Sequence, residues 1–425
     1  MPILRTYPAR LTADATRVVL RPFHLAAEPR DKNPPSHERA RRIIAAILDL
    51  PESTCVGMLE AVNADFEQRH WQTRAVYLER FWRIASDVGL HKPLSDTRRQ
   101  LIGAHFCHEY SYAAAALMNP SIVAHPDQTG LPRGSQRFVL SLRAVGEGHI
   151  SSIVFREGII DADDGLSLWP QPPFSLALDA TEIASNGAVL ATRPDSVSIS
   201  GTVIFPFTAA QRNGLEDLRL VRFEQEGAAT YYGTYTAYSG AGVRSELLAT
   251  SDFRTFSLLP MDGDAVLAKG MALFPRLLDG DYVMIGRQDN ESMFLLRSRD
   301  LTRWSGGDKM MTPRFPWEYV QMGNCGAPIE LDEGWLLLTH GVGAMRKYAI
   351  GAALLDKRDP RTVLARSAHP VVAPSSASRE GYVPNVVYTC GALRHGDRLL
   401  LPYGVADSSV SFCLIDIPAL LSSLA

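Results

Sequence analysis

A chain of 425 residues with a formal net charge of −3 offers no broad basic face for nucleic acid or an anionic membrane. Any anion it holds must meet a local cluster of Arg and Lys. Apolar residues make up 46% and charged residues 21%, ordinary for a globular protein, and no run of ~18 apolar residues suggests a helical membrane span. The five cysteines, Cys55, Cys107, Cys325, Cys390 and Cys413, are scattered without zinc or redox spacing, so reduced thiols in a cytoplasm are expected. Met1-Pro2-Ile3-Leu4-Arg5 lacks the apolar core of a signal peptide.

Residues 1–35 contain six prolines, Pro2, Pro8, Pro22, Pro29, Pro34 and Pro35, and read as an extended arm. Helical spacing follows. Ser36 is a candidate cap for a helix with Ile43, Ile44, Ile47 and Leu48 on one face, ended by Pro51. Ser53 is a candidate cap for a second, with Met58, Leu59 and Val62; Tyr77, Leu78, Phe81, Trp82 and Ile84 mark a third. Ser95 caps a fourth over about 96–117,. His105 and His108 fall on that helix at a spacing that would allow a metal pair. No third ligand is near, so they read as core or helix-surface histidines,. Residues 1–117 are thus an arm plus an all-helical region.

From residue 118 the pattern turns to short strands with glycine turns. Five stretches repeat as an apolar strand running into polar or aromatic residues and glycine: 138–146, 232–240, 282–288, 335–341 and 399–407. Each follows a strand that begins with small or polar residues: Asn119-Pro120-Ser121, Glu216-Asp217, Lys269-Gly270-Met271, Asn324-Cys325-Gly326 and Pro384-Asn385. Turns such as Leu278-Asp279-Gly280-Asp281 join the two. Residues 159–212 read as outer strands of the first copy plus a loop. A hairpin repeated about every 50–60 residues predicts a five-bladed β-propeller over residues 118–425.

Inner strands of a propeller line its axis. The residues expected to converge there are Asn119, Arg143, Glu147, Asp217, Tyr235, Lys269, Arg287, His340, Asn385, Tyr403 and Asp407, with Arg244 at the end of the second hairpin. Aromatic, amide and carboxylate groups suit a sugar, and the cations suit an anion such as phosphate. Successive strand residues face opposite ways, so Glu216 and Asp217 are not expected to enter one pocket in the same way. One can be an acid while the other orients a ligand or neighbour. A surface turn with an ion pair to Arg219 is the plainer alternative.

Glu216-Asp217-Leu218-Arg219, Tyr235-Thr236-Ala237, Ala249-Thr250-Ser251-Asp252-Phe253, Leu273-Phe274-Pro275, His340-Gly341-Val342, Gly351-Ala352-Ala353-Leu354-Leu355-Asp356 and Pro402-Tyr403-Gly404-Val405-Ala406-Asp407 resemble glycoside hydrolase family 130 in consistent order over about 115–410. That resemblance implies a five-bladed propeller acting on β-mannosides. Most members are inverting phosphorylases that release mannose 1-phosphate; a minority are β-1,2-mannosidases. It makes Asp217 the catalytic acid, acting through the mannose 3-hydroxyl. Leu218 stands where the family usually has proline.

Phosphate attacks as a ready-made anion and needs cations, whereas water needs a carboxylate base. Arg244, Lys269, Arg287 and His340 are the expected phosphate ligands. Asn119, Arg143, Glu216, Tyr235 and Asp407 are the expected mannoside ligands. Glu147 and Glu380 are the candidate bases of the alternative, a hydrolase; a non-catalytic mannoside-binding propeller is a further alternative. Inorganic phosphate is expected as co-substrate, with no metal or other cofactor, no nucleic-acid or membrane partner, and homo-oligomers left open.

Overall fold

In the computed structural model, residues 3–23, 25, 37–70, 72–376 and 379–425 are described. They fall into two units. One comprises Met1–Ala15, Tyr112–Pro172 and Leu178–Ala425; the other comprises Thr16–Ser111 and Pro173–Ala177.

The larger unit is mostly β. Its strand Trp335–Gly343 shows how the sequence builds it. Trp335 and Leu337 pack among Val283, Ile285, Met293 and Leu295 of the preceding sheet. Leu336 and Leu338 point the other way, among Leu399, Leu401, Cys413 and Ile415 of the following sheet. A strand buried on both faces needs apolar residues at every position, which is why this one reads as an unbroken apolar run.

Antiparallel meanders follow one another along the chain. The first is Ala116–Ala124, Gln136–Val145 and Ser151–Ile160. The second is Gly214–Gln225, Ala228–Tyr238, Val243–Thr250 and Thr255–Pro260, joined to the first by one parallel pairing of Gly214 with Ser151. The third is Ala272–Leu273, Tyr282–Gly286, Met293–Ser298 and Asp308–Met311. The fourth is Gln321–Asn324, Trp335–Gly343, Lys347–Leu355 and Val363–Arg366. The fifth is Val387–Tyr388, Arg398–Val405 and Ser409–Asp416, completed by Leu4–Thr12 with Leu4 opposite Ile415.

Two local expectations change. Residues 4–12 are a sheet strand and not a free arm, because pairing with Ser409–Asp416 satisfies their backbone groups,. Ala180–Ile183 and Val189–Thr192 extend the second meander through Thr255–Pro260, not the first. The turn at Asp279-Gly280 carries φ 55° and 84°, the paired left-handed conformation of a two-residue hairpin turn.

The smaller unit holds four helices, α1 (Glu38–Leu48), α2 (Glu52–Phe66), α3 (Thr73–Val88) and α4 (Asp96–Ala104), and a strand pair, Val18–Pro22 with Cys107–Ser111. Ile44, Ile47, Cys55, Phe81, Ile84, Leu101, Ile102 and Phe106 form its core. Ser95 Oγ accepts the Arg98 N–H at 3.2 Å and caps α4. Arg98 donates to the carbonyls of Ile47, Leu48 and Leu50, satisfying the open end of α1,. Ser36 lies outside the described residues, and α2 starts from Pro51, with Ser53 inside its first turn. The fourth helix stops at Ala104, not near 117, because residues 107–111 pair as a strand with Val18–Pro22. That separates His105, at the end of α4, from His108 on the strand. No helix among the described residues is long and apolar enough to cross a membrane.

Candidate active site

In or just before the first strands of several meanders a backbone feature recurs. Asn119, Asp217 and Asn385 have φ of 49°, 57° and 63°, and Gly270, just before Ala272–Leu273, has 87°. Asn, Asp and Gly are the residues that enter this left-handed region most readily. The ladder slips between Met118 and Ser121 and again between Glu216 and Arg219, so Asn119 and Asp217 sit in bulges. A bulge bends its strand and re-aims side chains.

Asp217 lines the cavity while Glu216 orients its neighbours, as expected, yet strict alternation does not hold between them. Arg143 Nη2 donates to Glu216 Oε1 at 2.6 Å, and its Nη1 lies 3.3 Å from Asp217 Oδ1. Both carboxylates therefore reach one guanidinium, because the left-handed residue interrupts the two-fold period of the strand. Glu216 is buried and also takes Lys269 Nζ at 3.0 Å. It holds two cations in place and does not itself line the cavity.

That cavity, about 220 Å³, is lined by Asn119, Arg143, Asp217, Lys269, Arg287, His340 and Asp407 from the expected set. Arg219, Gly270, Gln321, Gly323, Asn324, Arg346, Tyr348, Val386 and Tyr388 complete its wall. Tyr235 is not on it: the ring is buried and its hydroxyl bonds Glu246 at 2.7 Å and Gln211 at 2.9 Å, which spend its polar atom inside the sheet. Arg244 is turned toward Met261 O and Glu246 and is also not on the wall. The Asn385 carbonyl accepts Tyr348 N–H at 3.0 Å, and Tyr403 packs against the core of the last sheets. Glu147 and Glu380 are exposed and outside the lining.

Arg219, Arg346, Tyr348 and Tyr388 escaped the sequence reading. Arg219 stood in the quoted motif, but as the ion-pair partner in the plainer reading. Instead it donates to the carbonyl of Asp217 and to Tyr388 Oη at 2.6 Å. Tyr388, Tyr348 and His340 form a ring cluster, with His340 edge-on to Tyr388 at 4.9 Å and stacked with Tyr348 at 6.1 Å. The left-handed pair Met345 and Arg346 has no glycine to mark it in the sequence.

The electrostatics are uneven. Burial pushes Asp217 up, but Arg143, Arg219, Lys269 and the Asn119 amide together hold its carboxyl below the usual carboxylate value. Asp407 moves the other way, to about 6, through burial and the neighbouring charge of Asp217, against Arg143 and Arg346. Burial, Arg287 and Arg219 push His340 down to about 3, so its imidazole is neutral,. The wall thus brings an ionisable carboxyl, fixed cations and aromatic rings around one polar space.

A strand-built cavity that pairs a carboxyl with clustered cations and aromatic rings has the makings of a carbohydrate site with an anion pocket. Comparison with known proteins gives the family. Residues 188–424 match the profile of glycoside hydrolase family 130, described as beta-1,4-mannooligosaccharide phosphorylase, and the chain belongs to that family. It is 33% identical over 231 residues to a beta-1,2-mannobiose phosphorylase of Listeria innocua, a match spanning 52% of this chain and 63% of the relative. It is also 33% identical over 221 residues to a 1,2-beta-oligomannan phosphorylase of Thermoanaerobacter, spanning 49% and 70%. The solved structure of the Listeria innocua beta-1,2-mannobiose phosphorylase with beta-1,2-mannobiose superposes with a TM-score of 0.51 at 24% identity, over 73% of this chain and 92% of that one. That likeness shows a shared fold.

Proposed function

We propose that the protein is a five-bladed β-propeller enzyme that phosphorolyses a β-linked mannoside to mannose 1-phosphate with inversion. The observation that carries this reading is the cavity wall, where Asp217 stands with Lys269, Arg287 and His340 around one polar space. The phosphorylase names of relatives at 33% identity support it, and make β-1,2-linked substrates the first to test.

In this reading Asn119, Arg143 and Asp407 bind the mannose, and Lys269, Arg287 and His340 hold phosphate. A phosphate oxygen attacks C1 from the face opposite the leaving group. The C1–O bond breaks, its electron pair stays on the leaving oxygen, and that oxygen receives a proton originating from Asp217, relayed by the mannose 3-hydroxyl as the family resemblance implies. Phosphate needs no base to activate it, only positioning and charge balance. Without ligand the cations keep Asp217 ionised. A bound phosphate dianion offsets those cations and raises its proton affinity, so the acid is loaded when the nucleophile is in place.

Hydrolysis is the second reading, and Asp407 is the observation that favours it. It is a second cavity carboxyl with a value near 6, in the range suited to a base for water,. Incubation with β-1,2-mannobiose and other β-linked manno-oligosaccharides, with and without inorganic phosphate, separates the two. Mannose 1-phosphate formed only with phosphate supports phosphorolysis; free mannose without phosphate supports hydrolysis.

A further inference from the structure

We infer that His340 makes the anion pocket select an oxyanion that carries a proton, so that hydrogen phosphate binds and sulfate is rejected. This rests on the phosphorylase reading and specifies which form of the nucleophile the site takes.

The argument begins with the imidazole's two nitrogens. Nδ1 lies 3.1 Å from the carbonyl oxygen of Asn324. A carbonyl only accepts, so Nδ1 carries the hydrogen. The ring is buried and neutral, pushed down to about 3 by burial and by Arg287 and Arg219. Nε2 is then a bare acceptor, and His340 lines the cavity.

The ring cannot easily turn to exchange these roles. Tyr348 stacks on it and Tyr388 meets it edge-on. Gly323 lies against the ring, so close that a Cβ there would come within 2.6 Å of His340 Cε1. Asn324 is fixed in turn, since its amide donates to the Gly270 carbonyl at 2.6 Å and its Oδ1 accepts the Gly326 N–H at 3.2 Å.

Among the described residues the donor beside Nε2 is Arg287 Nη1 at 3.4 Å, near the outer limit of a hydrogen bond. Arg287 Nε is buried without a hydrogen-bond partner among the described residues. An arriving oxyanion gives the guanidinium oxygens to bind, and the arginine releases Nε2. What meets Nε2 then depends on the anion. Hydrogen phosphate can present a P–OH, which donates to Nε2. Sulfate has the same charge and shape but no hydrogen, so an oxygen lone pair faces the Nε2 lone pair. A mismatched buried polar group of this kind weakens binding about 10- to 100-fold.

The test is calorimetric titration of the full chain in chloride buffer near neutral pH with inorganic phosphate, arsenate and sulfate. Phosphate and arsenate both carry a hydrogen under these conditions and should bind alike, with sulfate about 10- to 100-fold weaker. In His340→Gln the side-chain amide can donate as well as accept, so the phosphate-to-sulfate ratio should fall toward one. Sulfate binding as tightly as phosphate to the unaltered protein overturns the inference while leaving phosphorolysis standing. A ratio unchanged in a folded His340→Gln protein also overturns it. Absence of any phosphate binding, together with phosphate-independent turnover, removes the phosphorylase reading itself.

Discussion

Asn119 and Asp217 both occupy left-handed backbone in bulges of neighbouring meanders, and the side-chain amide of the first donates to the carboxylate of the second. Two irregular strand positions, 98 residues apart, thus meet at the cavity wall. The bulges free these side chains from the ladder, and the amide fixes the orientation of the carboxyl that we propose as the acid.

Asp217→Asn keeps the shape of that carboxyl and removes its proton chemistry. Turnover of a β-mannoside with phosphate should fall by roughly 10²–10⁴-fold, the share of a positioned general acid. Circular dichroism and the melting temperature should show an intact fold. A variant with near-normal kcat would remove Asp217 from the acid role.

Glu216→Gln tests the residue that holds two cations. Arg143 and Lys269 both lose a charged partner, at a cost of about 1–3 kcal/mol for the more buried Arg143 contact. The melting temperature should drop, and KM for both mannoside and phosphate should rise, because Arg143 and Lys269 stand on different sides of the proposed chemistry. Unaltered KM values for both would show that neither cation depends on Glu216 for its position.

Gly323→Ala places a methyl 2.6 Å from His340 Cε1 and 3.4 Å from Arg287 Cδ. The imidazole must shift, and with it the Nε2 that faces Arg287. Steady-state kinetics should show KM for phosphate rising several-fold more than KM for mannoside. Equal changes in the two would mean that these groups do not line a separate anion pocket.

Asp407 gives a pH-dependent stability with a definite sign. Its folded value, about 6, lies above the unfolded value of 3.8. The unfolded chain therefore releases this proton first as pH rises, and the group lowers stability progressively between about 4 and 6,. His340 acts in the opposite sense. Its folded value of about 3 lies below the unfolded 6.5, so it removes stability as pH falls through that window. Asp407→Asn should thus raise the melting temperature relative to the unaltered protein more at pH 8 than at pH 4, by on the order of 2 kcal/mol in differential stability. Thermal melts at the two pH values decide it; an equal difference at both would show that Asp407 titrates normally.

Most strands and turns of the repeated hairpins, and the family resemblance, were legible in local sequence. Apolar runs such as Trp335–Leu338, the Asp279-Gly280 turn and the Ser95 cap are local features, set by side-chain period and backbone preference within a few residues. They also carried much of the cavity, because Asn119, Arg143, Asp217, Lys269, Arg287, His340 and Asp407 lie at repeated positions of the hairpins. Which polar atoms the sheets use up, and which they leave to the cavity, was settled by the folding of the chain. It spent Tyr235 on Glu246 and Gln211, turned Arg244 away, and brought in Arg219, Tyr348 and Tyr388. It also placed Glu216 and Asp217 on one arginine, against the alternation of a regular strand. These outcomes depend on bulges and on contacts between residues 11 to 169 positions apart, where local periodicity carries no information.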